Sequence, residues 1–201
     1  QPNVGKSSLL NALAGEHPGL LHVLPLDVAD ARSRAAFAAE LPLVLGEAGI
    51  DLLVNNAGVL HSGERFGHLG EANLEHSFRV NAMGPLLLAQ ALAPLLADGA
   101  TVANLSSQLG SIAGCGRFGT PSYNISKAAQ NMATALLAHA LADRGITVVA
   151  LHPGWVQTEM GGEQATESVG ESAAGLLDVI DGLVEGDSGR FLDWRGAALP
   201  W

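Results

Sequence analysis

Short apolar segments alternate along the chain with longer stretches in which apolar residues recur every three or four positions. The short segments have the length of strands, and the longer Ala- and Leu-rich stretches have the period of helices that bury one face. The predicted strands are Leu21–Leu26, Ile50–Val54, Thr101–Leu105, Ile146–Leu151 and Arg190–Leu192, and the predicted helices are Asp30–Leu45, Leu74–Leu96, Ser122–Asp143 and Val169–Val184.

The strand segments are nearly continuous in apolar character instead of alternating between apolar and polar residues. Such runs are typical of parallel strands that are covered on both faces, and their alternation with helices is typical of α/β proteins. We therefore predict a Rossmann-like, doubly wound parallel sheet in a three-layer sandwich. No internal repeat or long linker divides the 201 residues, so one domain is predicted over residues 1–201, with residues 1–20 as an atypical leader.

The charge and composition narrow the class of partner. A net charge of -10 disfavours nucleic acid, because phosphate backbones are bound by basic surfaces. No apolar run reaches the ~18 residues of a membrane span, no secretory signal opens the chain, and the single cysteine, Cys115, cannot form an internal disulfide. The seven histidines show no metal-ligand spacing. We predict a cytoplasmic protein that binds a small molecule, without a metal, nucleic-acid or membrane partner.

The residues that follow the predicted strands are the first candidates for a functional site. In a doubly wound sheet the ligand binds at the carboxyl ends of the strands, so side chains placed just after each strand meet there. These positions hold, in chain order, Asp27 and Val28, then Asn55, Asn56, Ala57 and Gly58, then Ser106 and Ser107, and then His152, Pro153 and Gly154.

A Tyr-x-x-x-Lys pair opens the predicted helix at Ser122. Tyr123 is the only tyrosine and Lys127 one of two lysines, and residues four apart on a helix share a face. An ammonium about 4 Å from the phenol, at an effective dielectric near 20, favours tyrosinate by about 4 kcal/mol, or roughly three pH units of pKa. Pro121 and Ser122 are typical helix-start residues, so the positive helix end acts on Tyr123 as well. We therefore predict a phenol of lowered pKa that exchanges a proton with an alcohol or a carbonyl.

These residues, in this order, resemble the short-chain dehydrogenase/reductase family. The sequences HPGWVQTEMGG and DSGRFLDWRGAALPW resemble its subgroup of C-factor and Sniffer-type carbonyl reductases. The resemblance implies an enzyme that transfers a hydride between a nicotinamide cofactor and a small carbonyl or alcohol substrate, with NADP favoured over NAD. It also implies a homodimer formed through the Leu74–Leu96 and Ser122–Asp143 helices.

The resemblance further implies a role for each matching position. Tyr123 is then the general acid/base, Lys127 lowers its pKa and holds the nicotinamide ribose, Ser107 binds the reacting oxygen, and Asn81 holds a water of the proton relay. Ser106 is the weaker of the two serine candidates, and Asn55 and Asn56 alternatively stabilise the sheet. The cofactor-binding residues implied are Asp27, Val28, Asn56, Ala57, Gly58, Tyr123, Lys127, Pro153, Gly154 and Thr158.

The front of the chain departs from this family. The family begins with a strand, a T-G-x-x-x-G-x-G turn and a helix, and this motif does not occur ahead of Ile50. If Leu21–Leu26 matches the third strand of the family, the two strands that normally separate it from the Ile50 strand are missing. Either Leu21–Leu26 pairs directly with the Ile50 strand, which is our prediction, or the sheet stays open there. We also expect this chain to bind its cofactor weakly, since the glycine turn anchors the pyrophosphate.

The opening QPNVGKSSLLNALAGE instead resembles a fragment of a P-loop GTPase, with Gly5, Lys6 and Ser7 at phosphate-binding positions. The first glycine of the motif is absent, and no lysine follows an asparagine, so the guanine-reading N-K-x-D sequence cannot form. We predict that Ser7–Ala14 is an amphipathic helix that covers the sheet. The alternatives to a reductase are therefore a binding or signalling protein with a vestigial site and, less favoured, a P-loop nucleotide-binding protein.

Overall fold

The structure, a computed structural model, describes residues 20–201 of the chain. Its centre is a four-stranded parallel sheet with the strand order β1-β2-β3-β4. Neighbouring strands follow one another in the chain, and each is joined to the next by a segment that contains helix. The strands are β1 (Ile50–Asn55), β2 (Leu96–Leu105), β3 (Thr147–His152) and β4 (Phe191–Asp193).

Helices cover both faces of this sheet. Val102 and Val148 face one layer, where they pack with Ala89 and Leu137, while Val149 faces the opposite layer. Burial of each such aliphatic side chain contributes about 1.5–3 kcal/mol. The predicted Rossmann-like α/β sandwich is confirmed. The helices are α1 (Ala31–Leu45), α2 (Glu71–Phe78), α3 (Gly84–Leu92), α4 (Pro121–Ala140) and α5 (Val169–Asp181); α3 and α4 cover the first face and α5 covers the second.

The predicted single helix over Leu74–Leu96 is wrong, because the structure has two helices, α2 and α3, joined by a π-helical turn over Arg79–Met83. Pro85 lies near the start of α3 and has no N–H to donate to the carbonyl four residues earlier, so the regular α-helical ladder cannot continue through it. The backbone N–H of Gly84 bonds instead to the carbonyl of Arg79, five residues before. The following strand begins at Leu96, earlier than predicted.

The predicted strand over Leu21–Leu26 is also wrong, since this segment has no regular secondary structure. Val28, which follows this segment, is held by two helices. Arg34 of α1 donates a hydrogen bond to the Val28 carbonyl (2.6 Å), and the Val28 side chain lies 3.1 Å from where a Cβ at Gly84 would stand. Within residues 20–201 no strand pairs with the free edge of β1, so the predicted closure of the sheet is wrong for the part of the chain that is described.

The predicted helix over Ser7–Ala14 and the P-loop-like residues Gly5–Ser7 fall outside the described residues. Among residues 20–201, none of the helices combines the length and the hydrophobicity that crossing a membrane requires.

Candidate active site

Tyr123 and Ser107 meet where β2 ends and α4 begins. Ser107 is the second residue after β2, Tyr123 is in the first turn of α4, and the Ser107 hydroxyl lies close enough to the phenol to lower its pKa. The Ser107 hydroxyl also accepts a bond from the Leu109 backbone N–H (3.1 Å), which fixes its direction. Both side chains are buried, at 7% and 8% exposure. The two side chains are therefore buried next to each other at the edge of the sheet.

The start of α4 is fixed by contacts that are distant in sequence. Thr120 precedes the helix in the left-handed region at φ 42°, which is strained for a residue other than glycine. The Glu64 carboxylate accepts bonds from the backbone N–H (3.2 Å) and the hydroxyl (2.7 Å) of Ser122. A negative charge there stabilises the helix N-terminus. Glu64 and Thr120 thus orient the turn that carries Tyr123.

Lys127 lies one turn further along α4 and is 3% exposed. Its ammonium donates to the carbonyl of Leu105 (2.6 Å) and to Oε1 of Gln130 (2.8 Å). The nitrogen stands 5.7 Å from the centroid of the Tyr123 ring. An ammonium has three donors, so one remains for a further acceptor.

The protonation states differ from those predicted. Burial raises the pKa of Tyr123, with the Ser107 hydrogen bond acting in the opposite direction, and burial lowers the pKa of Lys127 to about 7. The predicted lowering of the phenol pKa is wrong for this structure, because desolvation by burial is the largest effect on Tyr123 and raises its pKa. Tyr123 is consequently protonated at neutral pH.

Asn81, in the π-helical turn, joins three parts of the site. Its Oδ1 accepts from the Val59 N–H (2.8 Å), and its Nδ2 donates to the Val59 carbonyl (2.9 Å) and to Ser126 Oγ (2.9 Å). The adjacent Gly58 lies against this amide and Lys127, since a Cβ there would stand 3.6 Å from Asn81 Oδ1 and 3.9 Å from Lys127 Nζ. The turn that follows β1 (residues 55–58), the π-helical turn and α4 therefore meet at Asn81. The role of Asn81 in holding a water stays a prediction.

The structure distinguishes between the two serine candidates. The Ser106 hydroxyl donates to Asn131 Oδ1 (2.5 Å), on the next turns of α4, and does not join the Tyr123 pair. Asn55 is structural in the same way, because its amide donates to Asn104 Oδ1 (2.8 Å) on the neighbouring strand. Ser106 and Asn55 thus hold strands and helix together, and Ser107 stays the predicted serine of the site.

The remaining predicted cofactor residues lie at the rim. Asn56 and Ala57 are exposed directly after β1, whereas Asp27 and Val28 precede α1 and follow no strand. After β3, the Pro153 carbonyl accepts from Ser172 (2.7 Å), and exposed Thr158 accepts from the Gly161 N–H (3.1 Å). Gly154 has φ 86°, and a Cβ there would stand 2.9 Å from Trp194 Nε1, so only glycine fits.

A cavity of about 600 Å³ is lined in part by the two residues after Ser107. This volume is large enough for a small ligand. Its lining is uncharged except for Arg117. Among residues 20–201, no cluster of three His, Cys, Asp or Glu side chains could hold a metal ion. The polar residues that line the cavity are Gln108, Ser111, Thr120 and Asn124.

Sequence reasoning missed three residues that hold the site together: Glu64, Gln130 and Asn131. Gln130 and Asn131 are 1% and 4% exposed on a helix whose other buried positions are largely small or apolar. Carboxamides at the inner face of a helix, three and four residues after Lys127, are the signal that could have identified two of them. Glu64 has no comparable signal, because its contact depends on how a loop folds back onto α4.

Comparison with known proteins identifies the family. A family model described as "Enoyl-(Acyl carrier protein) reductase" matches residues 3–176, well over half of the chain. The chain belongs to the short-chain dehydrogenase/reductase family. The resemblance inferred from the Tyr123 and Lys127 pattern is thereby confirmed. As a short-chain dehydrogenase/reductase, the chain is an NAD(P)-dependent oxidoreductase.

The similar proteins include carbonyl reductases of known structure. The short-chain dehydrogenase/reductase described here is 44% identical to C-signal of Myxococcus xanthus over 154 residues, which is 76% of this chain and 93% of that protein. An NADPH-bound carbonyl reductase from chicken fatty liver is 37% identical, with a TM-score of 0.93 over all of this chain and 85% of that one. The carbonyl reductase Sniffer of D. melanogaster is 32% identical, with a TM-score of 0.93 over 98% and 84% of the two chains.

Proposed function

We propose that this short-chain dehydrogenase/reductase reduces small carbonyl compounds and that Tyr123 is the proton donor. The observation that carries the proposal is the buried, protonated Tyr123 phenol, which lies beside Ser107 and next to a cavity of small-ligand size lined by Gln108 and Asn124. Carbonyl reduction requires the protonated phenol, whereas alcohol oxidation requires the tyrosinate. At neutral pH Tyr123 is therefore in the protonation state that reduction requires.

NADP is the proposed cofactor, with NAD as the alternative. Solved relatives with NADPH or NADP bound support this choice. The Lys127 ammonium fits a ribose hydroxyl. Two of its three N–H groups bond to Leu105 and Gln130, which leaves the third for a ligand. Gly58 adjoins the same nitrogen, so a ligand there meets backbone without a side chain in the way. Asp27, Asn56, Ala57, Gly154 and Thr158 are proposed as the remaining contacts.

The residues of the chain account for the proton side of the reaction. Bound NADPH would supply the hydride for the carbonyl carbon. Ser107 and Tyr123 donate hydrogen bonds to the substrate oxygen, and the Tyr123 proton passes to that oxygen as the alcohol forms. The resulting tyrosinate is stabilised by the Lys127 ammonium, whose positive charge becomes more favourable once a negative charge stands beside it.

A homodimer through α2, α3 and α4 is proposed as the assembly. Exposed apolar side chains lie along the outward face of α4, where Ile125, Met132 and Leu136 are 55%, 63% and 57% exposed. Phe78 and Met83, around the end of α2, add 43% and 39% exposed side chains. Such faces favour close helix packing.

The exposed thiol of Cys115 and the acidic charge support a cytoplasmic location.

The Tyr123→Phe variant tests the proposed function. It removes the proton-transferring hydroxyl and little else, so NADPH oxidation with small aldehydes and ketones is expected to fall by about 10² to 10⁴. Far-UV circular dichroism and thermal unfolding provide the check that the variant is folded. Full activity in Tyr123→Phe contradicts the assignment of Tyr123, and NADPH binding without turnover in the wild type supports the vestigial-site alternative instead.

A further inference from the structure

We infer that Gln130 is a positioning residue for this reaction: its carboxamide oxygen holds the Lys127 ammonium in place and maintains its charge. Gln130 is almost fully buried, at 1% exposure, three residues after Lys127 on α4. Its Oε1 stands 2.8 Å from Lys127 Nζ. The consequence for catalysis rests on the proposed function, whereas the effect on Lys127 itself does not.

The orientation of the Gln130 side chain is set by the lysine. The amide nitrogen, Nε2, is buried and has no hydrogen-bond partner among residues 20–201. An unpaired buried donor is unfavourable, so some other interaction must keep the carboxamide there. The opposite orientation would direct the two N–H groups at an ammonium that has no lone pair to accept them. The bond from Nζ to Oε1 is the interaction that explains the buried amide.

Two neutral acceptors determine whether Lys127 keeps its charge. Besides Gln130, the ammonium bonds to the Leu105 carbonyl at the end of β2 (2.6 Å). Hydrogen bonds to the charged form favour it, and desolvation opposes it. With one acceptor lost, the remaining carbonyl cannot compensate for burial, and Lys127 becomes neutral at a lower pH. The tyrosinate formed on proton transfer would then lack its neighbouring positive charge.

The surrounding packing fixes the backbone from which the Lys127 and Gln130 side chains extend. Gly110 lies directly on the main chain of Lys127, where a Cβ would stand 2.8 Å from the lysine carbonyl carbon and Cβ. One turn further, the Thr134 hydroxyl bonds to the Gln130 carbonyl (3.0 Å) and accepts from Asn104 (2.9 Å). The helix is therefore fixed on both sides of Gln130.

The test is an NMR titration of the ligand-free full chain labelled with ¹³Cε lysine. Only two lysines occur, Lys6 and Lys127, so two signals are expected, and a Lys6→Arg sample assigns them. Gln130→Met, which keeps length but removes the acceptor, is expected to lower the pKa of Lys127 by about one pH unit. Gln130→Glu, which places a carboxylate in the same shape, is expected to raise that pKa by about one pH unit or more.

Thr134→Val is the matched control, since it removes a buried hydroxyl from the same helix without touching the ammonium; it is expected to leave the Lys127 titration unchanged. The pH profile of NADPH-dependent turnover gives a second measurement, in which the high-pH limb moves to lower pH in Gln130→Met and to higher pH in Gln130→Glu. A wild type without turnover would contradict the proposed function and leave the NMR result intact. A Lys127 pKa that is the same in wild type, Gln130→Met and Gln130→Glu overturns the inference, as does an equal shift in Thr134→Val.

Discussion

Burial of Lys127 makes the stability of the fold depend on pH in a calculable way. The pKa of the ammonium is about 7 in the folded chain, against an ordinary value of 10.5. Between these values the unfolded chain binds more protons than the folded one, so the free energy of unfolding rises with pH. At pH 7 about half of the folded molecules carry the proton, so the gain from pH 7 to pH 9 is about 2 kcal/mol.

The Lys127→Met variant removes this contribution and keeps an unbranched, buried side chain. Its free energy of unfolding is expected to lack the rise of about 2 kcal/mol, while all other titrating groups act equally in both proteins. Urea unfolding followed by the fluorescence of the three tryptophans measures both curves at half-unit steps of pH. The range stops at pH 9 because the ordinary pKa of tyrosine is about 10.

Arg117→Met is the control, because Arg117 is an exposed cation whose loss should leave the wild-type pH dependence intact. Parallel curves for the wild type and Lys127→Met would refute the reasoning. They would mean that Lys127 titrates normally in the folded chain, so that burial does not lower its pKa.

Three further outcomes are expected. Gly110→Ala should lower the unfolding free energy by about 1–3 kcal/mol and reduce turnover, because its Cβ would meet the Lys127 backbone at 2.8 Å; Gly186→Ala, with open space around it, should change neither in the same assays. Leu136→Glu should convert a dimer into the 20.6 kDa monomer in light scattering, and a monomeric wild type at micromolar concentration would contradict the proposed assembly. Calorimetry on these 201 residues should give a Kd for NADPH weaker than low micromolar, since residues 1–49 do not contain the glycine-rich turn that binds the pyrophosphate; tighter binding would show that other residues anchor it.

The sequence alone was sufficient to locate several strands and helices, because their formation depends on local periodicity. Continuous apolar runs located β1, β3 and β4 to within one or two residues, and the 3.6-residue period located α1 and α4. The four-residue spacing of Tyr123 and Lys127 put both on one face of a helix, because helical geometry depends on neighbours in the chain. Scarce residue types at the ends of successive strands then indicated the family.

Tertiary structure decided everything that depends on partners distant in sequence. Ser106 and Ser107 are chemically identical neighbours, and only the approach of Asn131 and Tyr123 separates a structural serine from one at the site. The Leu21–Leu26 segment is apolar enough for a strand, but a strand exists only where another supplies its hydrogen bonds. The direction of the Tyr123 pKa could not be read from its spacing to Lys127, because desolvation and the acceptors that hold the ammonium arise when β2 and α4 pack together.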